Sequence, residues 1–262
     1  MKILLPSILI LSAVILLQFA QIQCFKASIP MDLAGNSLDD QYVGCRDEML
    51  KIVNKKYLSS ELKKNPDFKN AWSIAKKENK NQKQKVLKPE QAMAIYVYTM
   101  DAVHDPFNKA VREGGTNYKA FPFKSLHFLL TDALNTLRSK EAKCYNVFRG
   151  DTKKSTTDVG AIVRFGHFAS TSLDKNVAKE FGTRTVFEIK TCLGVLIQEY
   201  SDNPDEEEVL IPPFEKFKVL NVKGNQIQLE HIPDKTSNFN CLGVKKSLPE
   251  DAKHNGGKIL AV

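Results

Sequence analysis

Four consecutive acids, Asp205-Glu206-Glu207-Glu208, run directly into the apolar segment Val209-Leu210-Ile211. Like charges entering a strand repel one another unless cations or a function offset the cost. In extended backbone alternate side chains share a face, which puts Glu206 and Glu208 on one side and Glu207 on the other. Two carboxylates on one side suit chemistry at a glycosidic carbon. One steadies positive charge as the bond to the leaving group breaks, and the other handles the incoming nucleophile. An acidic surface loop is the plain alternative. Arg149-Gly150 closes the apolar run Tyr145 to Phe148, where a planar guanidinium fork grips phosphate or carboxylate, or else forms a sheet-edge salt bridge. Phe168-Ala169-Ser170-Thr171-Ser172 ends another apolar run, and its small hydroxyls either orient a neighbouring polar group or make an ordinary turn.

These residues need elements to position them. Residues 38 to 140 read as helical: Leu38-Asp39-Asp40 offers a capped start, and Met49, Ile52, Val53, Tyr57 and Leu58 recur at helical spacing. The Lys- and Asn-rich stretch Lys56 to Lys88, broken by Pro66 and Ala71-Trp72, reads as a short helix between exposed connections. Pro89 suits the first turn of the next helix, which would bury Ala92, Ile95, Tyr96 and Met100. Leu126, Leu129, Leu130, Ala133, Leu134 and Leu137 form a wide apolar stripe of the kind that packs a core. From Cys144 the texture changes to short runs rich in Val, Ile and Phe: Tyr145 to Arg149, Ala161 to Ala169, Thr185 to Lys190, Val195 to Tyr200, Glu207 to Ile211, Phe217 to Val222 and Gln226 to Ile232. Asn203-Pro204, Pro212-Pro213 and Gly224-Asn225 separate several of them. Helices followed by strands predict an α+β domain with antiparallel sheets.

The whole chain has 262 residues, 42% hydrophobic and 26% charged, which excludes collagen, low-complexity scaffolds and global disorder. Its formal charge of +8 is mild and dispersed, so it favours anionic partners in general without arguing for nucleic acid. His104, His127, His167, His231 and His254 are scattered and predict no metal site. Ile3 to Ala20 is almost wholly apolar behind the single cation Lys2. Pro6 and the polar stretch Gln21 to Gln23 favour a cleaved signal over an anchor, with the cut after Ala20 or Cys24. Residues 25–262 then form one domain. Cys45, Cys144, Cys192 and Cys241 remain, an even number for an oxidising compartment. Spacing leaves three pairings open and favours two disulfides over metal. The charged C-terminal tail closes with only Ile-Leu-Ala-Val, too short for a lipid-anchor signal. The expectation is a secreted, soluble monomer.

Taken in order, the arginine on one strand, Ser-Thr-Ser on the next and Glu-x-Glu on a later one resemble the arginine-specific mono-ADP-ribosyltransferase family of the vertebrate ecto-enzyme type. Phe121-Pro-Phe-Lys-Ser-Leu-His127, Tyr145-Asn-Val-Phe-Arg-Gly150, Val163-Arg-Phe-Gly-His-Phe-Ala-Ser-Thr-Ser172, Ala178-Lys-Glu-Phe181 and Glu206-Glu-Glu-Val-Leu-Ile-Pro-Pro213 are similar to its blocks, and the likeness spans residues 38–241. The family splits the nicotinamide–ribose bond of NAD and passes ADP-ribose to a guanidinium group. The resemblance implies NAD or NADP as co-substrate with no permanently bound cofactor. Arg149 would hold an NAD phosphate, and Gly150 would let the dinucleotide approach the backbone. Ser170 would orient Glu208, which contacts the nicotinamide ribose and stabilises positive charge. Glu206 would engage the acceptor guanidinium and help remove its proton. Phe181 would be either an aromatic wall near nicotinamide or a core residue. The resemblance also implies disulfides Cys45–Cys241 and Cys144–Cys192, a helical part over an NAD-binding cleft between two packed antiparallel sheets, and the secreted branch as the nearer comparison. An NAD glycohydrolase using water as acceptor, and a secreted non-catalytic binding protein of the same fold, are the alternatives.

Overall fold

The structure, a computed structural model, describes residues 28–79 and 86–244. The expected signal segment 1–24, part of the Lys-rich stretch at 80–85 and the tail from Lys245 lie outside the described residues.

The N-terminal half is helical. Helix α1 (Arg46–Ile52) passes through one π-helical turn, Val53–Tyr57, into α2 (Leu58–Lys64). Asn65 then turns extended and caps α3 (Pro66–Glu78), its side chain accepting from Phe68 N at 3.0 Å, with Pro66 in the first turn where no N–H is needed. Helices α4 (Pro89–Tyr98), α5 (Asp101–Glu113) and α6 (Lys124–Lys140) follow. The leucine stripe of α6 packs into the helical core with Ile95, Phe107 and Phe168.

The helix start expected at Leu38 to Asp40 is not there. Tyr42 and Gly44 both have positive φ, 58° and 79°, which a right-handed helix does not admit, and α1 begins only at Arg46. Asp39 and Asp40 are instead fully buried acceptors. Asp39 takes Arg164 Nη1 at 2.5 Å and the backbone N–H groups of Asn238 and Phe239. Asp40 takes those of Tyr42, Cys241 and Leu242. The two acids thus fasten the C-terminal segment to the front of the helical half, and the Cys45–Cys241 disulfide locks the same junction.

Ten strands supply the rest: β1 (Ile29–Pro30), β2 (Tyr145–Asp151), β3 (Ser155–Thr156), β4 (Ile162–Val163), β5 (Ala169–Ser172), β6 (Thr185–Thr191), β7 (Val195–Leu196), β8 (Glu208–Ile211), β9 (Phe217–Lys223) and β10 (Gln226–His231). Helix α7 (Lys175–Glu180), which the sequence reading did not anticipate, lies between β5 and β6. β1 and β3 form a small parallel pair. The other eight run in the order β4-β9-β10-β6-β2-β5-β8-β7. The α+β class holds, but two separate antiparallel sheets become one hydrogen-bonded series, and β10 returns parallel to β6.

That series nearly divides between β2 and β5, which share one register pair, Phe148 with Ser172. Val147 and Ile189 from one side of the division share an apolar cluster with Val209 and Ile211 from the other, so the halves pack on each other. Leu210, between those two on β8, turns instead into the helical core. The expected strand Ala161 to Ala169 is interrupted because Gly166 has φ 66° and Arg164 is drawn to Asp39. Val195 to Tyr200 likewise stops at Leu196 and ends in a 3-10 turn. Cys144–Cys192 staples the end of the β2–β6 ladder, beside the pair Tyr145 and Thr191.

Candidate active site

The near-division between β2 and β5 opens into a cleft of about 850 Å³, with α5 as part of its wall. Arg149 and Gly150 on β2, Ser170 on β5, Phe181 just after α7, and Glu206 and Glu208 all line it. Six residues spread over about sixty positions of sequence therefore meet, including Phe181, for which the sequence reading leaves a core position open as well.

The two acids arrive by a different route from strand alternation. Pro204–Glu206 is a 3-10 turn, Glu207 is left-handed (φ 45°, ψ 47°), and the strand begins only at Glu208. A left-handed non-glycine residue costs on the order of 1 kcal/mol. Here the flanking bonds Glu207 N to Pro204 O and Leu173 N to Glu207 O hold it. Glu206 and Glu208 line the cleft, while Glu207 is exposed outside it. The turn is fastened to the start of α5: Asp202 N donates to Thr99 Oγ1 at 2.9 Å and Asn203 Nδ2 to Thr99 O at 3.4 Å.

Glu208 is only 3% exposed, and its Oε1 has no hydrogen-bond partner. Burial is the main reason its pKa is pushed up to about 7, and the charge of Glu206 adds to the rise. The Ser170 hydroxyl and Arg149 pull the other way by favouring the carboxylate. Ser170 Oγ lies 3.0 Å from Tyr98 Oη, which itself donates to Phe168 O at 2.9 Å and receives Asn108 Nδ2 at 3.2 Å. His104 Nε2 is 3.4 Å from the same serine, while its Nδ1 faces Asp105 Oδ1 at 3.0 Å. Burial lowers the pKa of His104, so at neutral pH the ring donates from Nδ1 to Asp105 and keeps a lone pair toward Ser170.

Arg149 crosses the division, its Nη1 donating to Ser170 O at 2.7 Å. A guanidinium carries five N–H donors, and this bond uses one. Arg112 on α5 lines the cleft too, and burial followed by the charge of Arg149 lowers its pKa. Two like charges held together this way favour an anion between them. Gly150 lines the cleft and also has a packing reason to be glycine. A Cβ there would stand 2.2 Å from Ala178 O and 2.3 Å from Gly182 O, so the missing side chain makes room for the end of α7. Phe181 is 54% exposed at the cleft and is no core residue. A second hollow of about 830 Å³ lies beside Tyr57 and Tyr118, but its buried acid Glu61 is taken up by the N–H groups of Lys124 and Ser125.

Residues 31–237 match the family described as ART: NAD:arginine ADP-ribosyltransferase. The chain belongs to this family. It is 42% identical over 229 residues to NAD(P)(+)--arginine ADP-ribosyltransferase 2 of Gallus gallus, covering 82% of this chain and 73% of the relative. It is 40% identical over 233 residues to T-cell ecto-ADP-ribosyltransferase 2 of Rattus norvegicus, covering 85% and 83%. The crystal structure of the eukaryotic mono-ADP-ribosyltransferase ART2.2 superposes with a TM-score of 0.75 at 38% identity, over 82% of this chain and 99% of that one. Forms of the same protein have been solved with NADH and with NAD.

Within this ADP-ribosyltransferase fold, the sequence reading missed the contribution of α5. Asp101, His104, Asp105, Lys109 and Arg112 all line the cleft. They recur three, four, eight and eleven positions after Asp101, the spacing of one helical face. That face was visible in the sequence as a charged stripe and gave no reason on its own to be read as anything but solvated. Among the described residues, no group of three His, Cys, Asp or Glu side chains is placed to hold a metal ion, and no helix is long and apolar enough to cross a membrane.

Proposed function

We propose that this protein breaks the bond between nicotinamide and ribose in NAD and transfers ADP-ribose to the guanidinium of arginine side chains on acceptor proteins. The observation that carries the reading is the convergence of Glu206 and Glu208 on one cleft with Arg149, in a chain of the arginine ADP-ribosyltransferase family. The residues present fit the dinucleotide. The Arg149 and Arg112 pair offers a cationic seat for its diphosphate, and the buried Oε1 of Glu208 offers an acceptor with no hydrogen-bond partner in the protein. The cleft volume lies within the range usual for ligand sites.

Each side chain then has one task. Arg149 holds phosphate, and Phe181, exposed at the rim, offers a flat apolar face to the nicotinamide ring. As the glycosidic bond breaks, nicotinamide leaves with the bonding electron pair, and positive charge spreads over the ribose carbon and ring oxygen. Ionised Glu208 stabilises that charge, and Ser170 keeps Glu208 placed and ionised. The acceptor nitrogen then bonds to the ribose carbon and gives its proton to Glu206. A free guanidinium has a pKa above about 12, so an arginine nitrogen becomes an adequate nucleophile only as a carboxylate takes that proton.

The two disulfides suit an oxidising compartment. They support an extracellular protein, which we read as secreted after loss of segment 1–24 and as acting through a single catalytic domain as a monomer. Labelled NAD with agmatine, a small guanidino acceptor, tests the activity. Glu206→Gln is expected to abolish ADP-ribosyl-agmatine formation while sparing some NAD hydrolysis. Equal loss of both rules out a separate role for Glu206. No agmatine product from the wild-type protein, with disulfides intact, overturns the transferase reading, in favour of an NAD glycohydrolase if nicotinamide is still released and of a non-catalytic binding protein if it is not.

A further inference from the structure

We propose that Asp101 is a second acceptor-binding carboxylate, which acts with Glu206 so that two acids together grip one guanidinium. The inference rests on the transferase reading above and adds a specificity-determining residue that the sequence motif does not contain.

Asp101 is the first residue of α5 and follows directly on the turn Thr99-Met100. The loop that carries Glu206 is tied to that same turn through Thr99, by the backbone N–H of Asp202 and the side-chain amide of Asn203. Glu206 N also bonds Asn203 O, so the acid cannot move independently of the anchored segment. These bonds bring Glu206 beside the start of α5, and both carboxylates line the cleft. Their proximity registers electrostatically: after burial, the charge of Asp101 is what holds the Glu206 carboxyl above its ordinary pKa.

Among the described residues, neither Asp101 nor Glu206 forms an ion pair with a lysine, arginine or histidine. A helix N-terminus favours an acid in its first turn. That explains an aspartate at this position but not a second acid pinned next to it at a repulsive cost. The same cleft also holds Glu208, 97% buried by its 3% exposure and with Oε1 unpartnered. Arg149 acts electrostatically on Glu208 and on Arg112, but no protein cation offsets the charge that Asp101 puts on Glu206. A cation supplied from outside answers this imbalance. A planar guanidinium, with five N–H donors, gives two to one carboxylate in a fork and has donors left for another.

The test is steady-state ADP-ribosylation of agmatine at saturating NAD by wild type, Asp101→Asn and Asp101→Glu. Asp101→Asn is expected to raise the KM for agmatine about tenfold, the size of one charge-assisted hydrogen bond, with kcat at saturating agmatine within about twofold. The ratio of transfer to NAD hydrolysis at low agmatine should fall by the same factor. Asp101→Glu, which keeps the charge, should hold the KM within about threefold of wild type. A helix-stabilising role alone would lower the melting temperature and leave the agmatine KM in place, and that result overturns the proposal while the transferase reading stands. If wild type itself makes no ADP-ribosyl-agmatine, the transferase reading fails, and this inference fails with it.

Discussion

Ser170 Oγ and Tyr98 Oη lie 3.0 Å apart, so a hydroxyl from the helical half of the protein holds the serine that flanks Glu208 on the sheet. The consequence is electrostatic. Burial raises the Glu208 pKa to about 7 and the Ser170 hydroxyl works against that rise. If Glu208 must be ionised to stabilise a ribosyl cation, kcat/KM for NAD should climb with pH through a value near 7. Removing the hydroxyl in Ser170→Ala withdraws a bond that favours the carboxylate, so the pKa goes up. The acidic limb should then move to higher pH by about half to one unit. Rate profiles between pH 5 and pH 9 read the shift, and a limb that stays put or moves down contradicts this role for Ser170.

The same buried acid sets a conflict between activity and stability. With a folded pKa of about 7 against an ordinary 4.5, Glu208 binds more proton folded than unfolded between those values. Stability contributed by this site is therefore present below about pH 4.5, falls as pH rises through 7 and stays low above it. Glu208→Gln does not titrate. It should lose at least about a hundredfold in transfer, near 3 kcal/mol of transition-state stabilisation. It should also unfold at higher urea than wild type at pH 8, by on the order of 1–3 kcal/mol. The difference should vanish at pH 4. A Gln variant less stable than wild type at pH 8 would show that the carboxylate is held by partners the structure does not give it.

What the sequence made legible follows from how local each signal is. Arg149, Ser170, Glu206 and Glu208 sit in blocks whose residue types point to one chemistry, and the cleft gathers all four. The stripe of α6 and the strand runs were readable because burial imposes a period. The shared facing of Glu206 and Glu208 held but not through strand alternation, because Asn203-Pro204 starts a 3-10 turn and Glu207 reverses the hand. Asp39 and Asp40 looked like helix caps because their partners, Arg164, Asn238, Phe239 and Cys241, are more than a hundred residues away. The role of α5 was hidden for a similar reason. A charged helical face looks solvated until the elements across the cleft from it are known.

Gly150 separates two explanations that the sequence leaves equivalent. If glycine is there to admit the dinucleotide, alanine should weaken NAD binding and leave folding alone. The structure instead places the would-be Cβ 2.2 Å from Ala178 O and 2.3 Å from Gly182 O. Backbone at that distance cannot yield as a side-chain tip can, so Gly150→Ala must push the end of α7 away from β2. The expected cost is about 1–3 kcal/mol, as for other overpacked sites, or a melting temperature lower by roughly 2–12 °C for a domain of this size. Because Phe181 follows α7 directly and lines the cleft, the same displacement should raise the KM for NAD. Thermal unfolding and NAD kinetics on one preparation decide the matter, since a raised KM with an unchanged melting temperature would return Gly150 to the ligand-approach role and take it away from strand–helix packing.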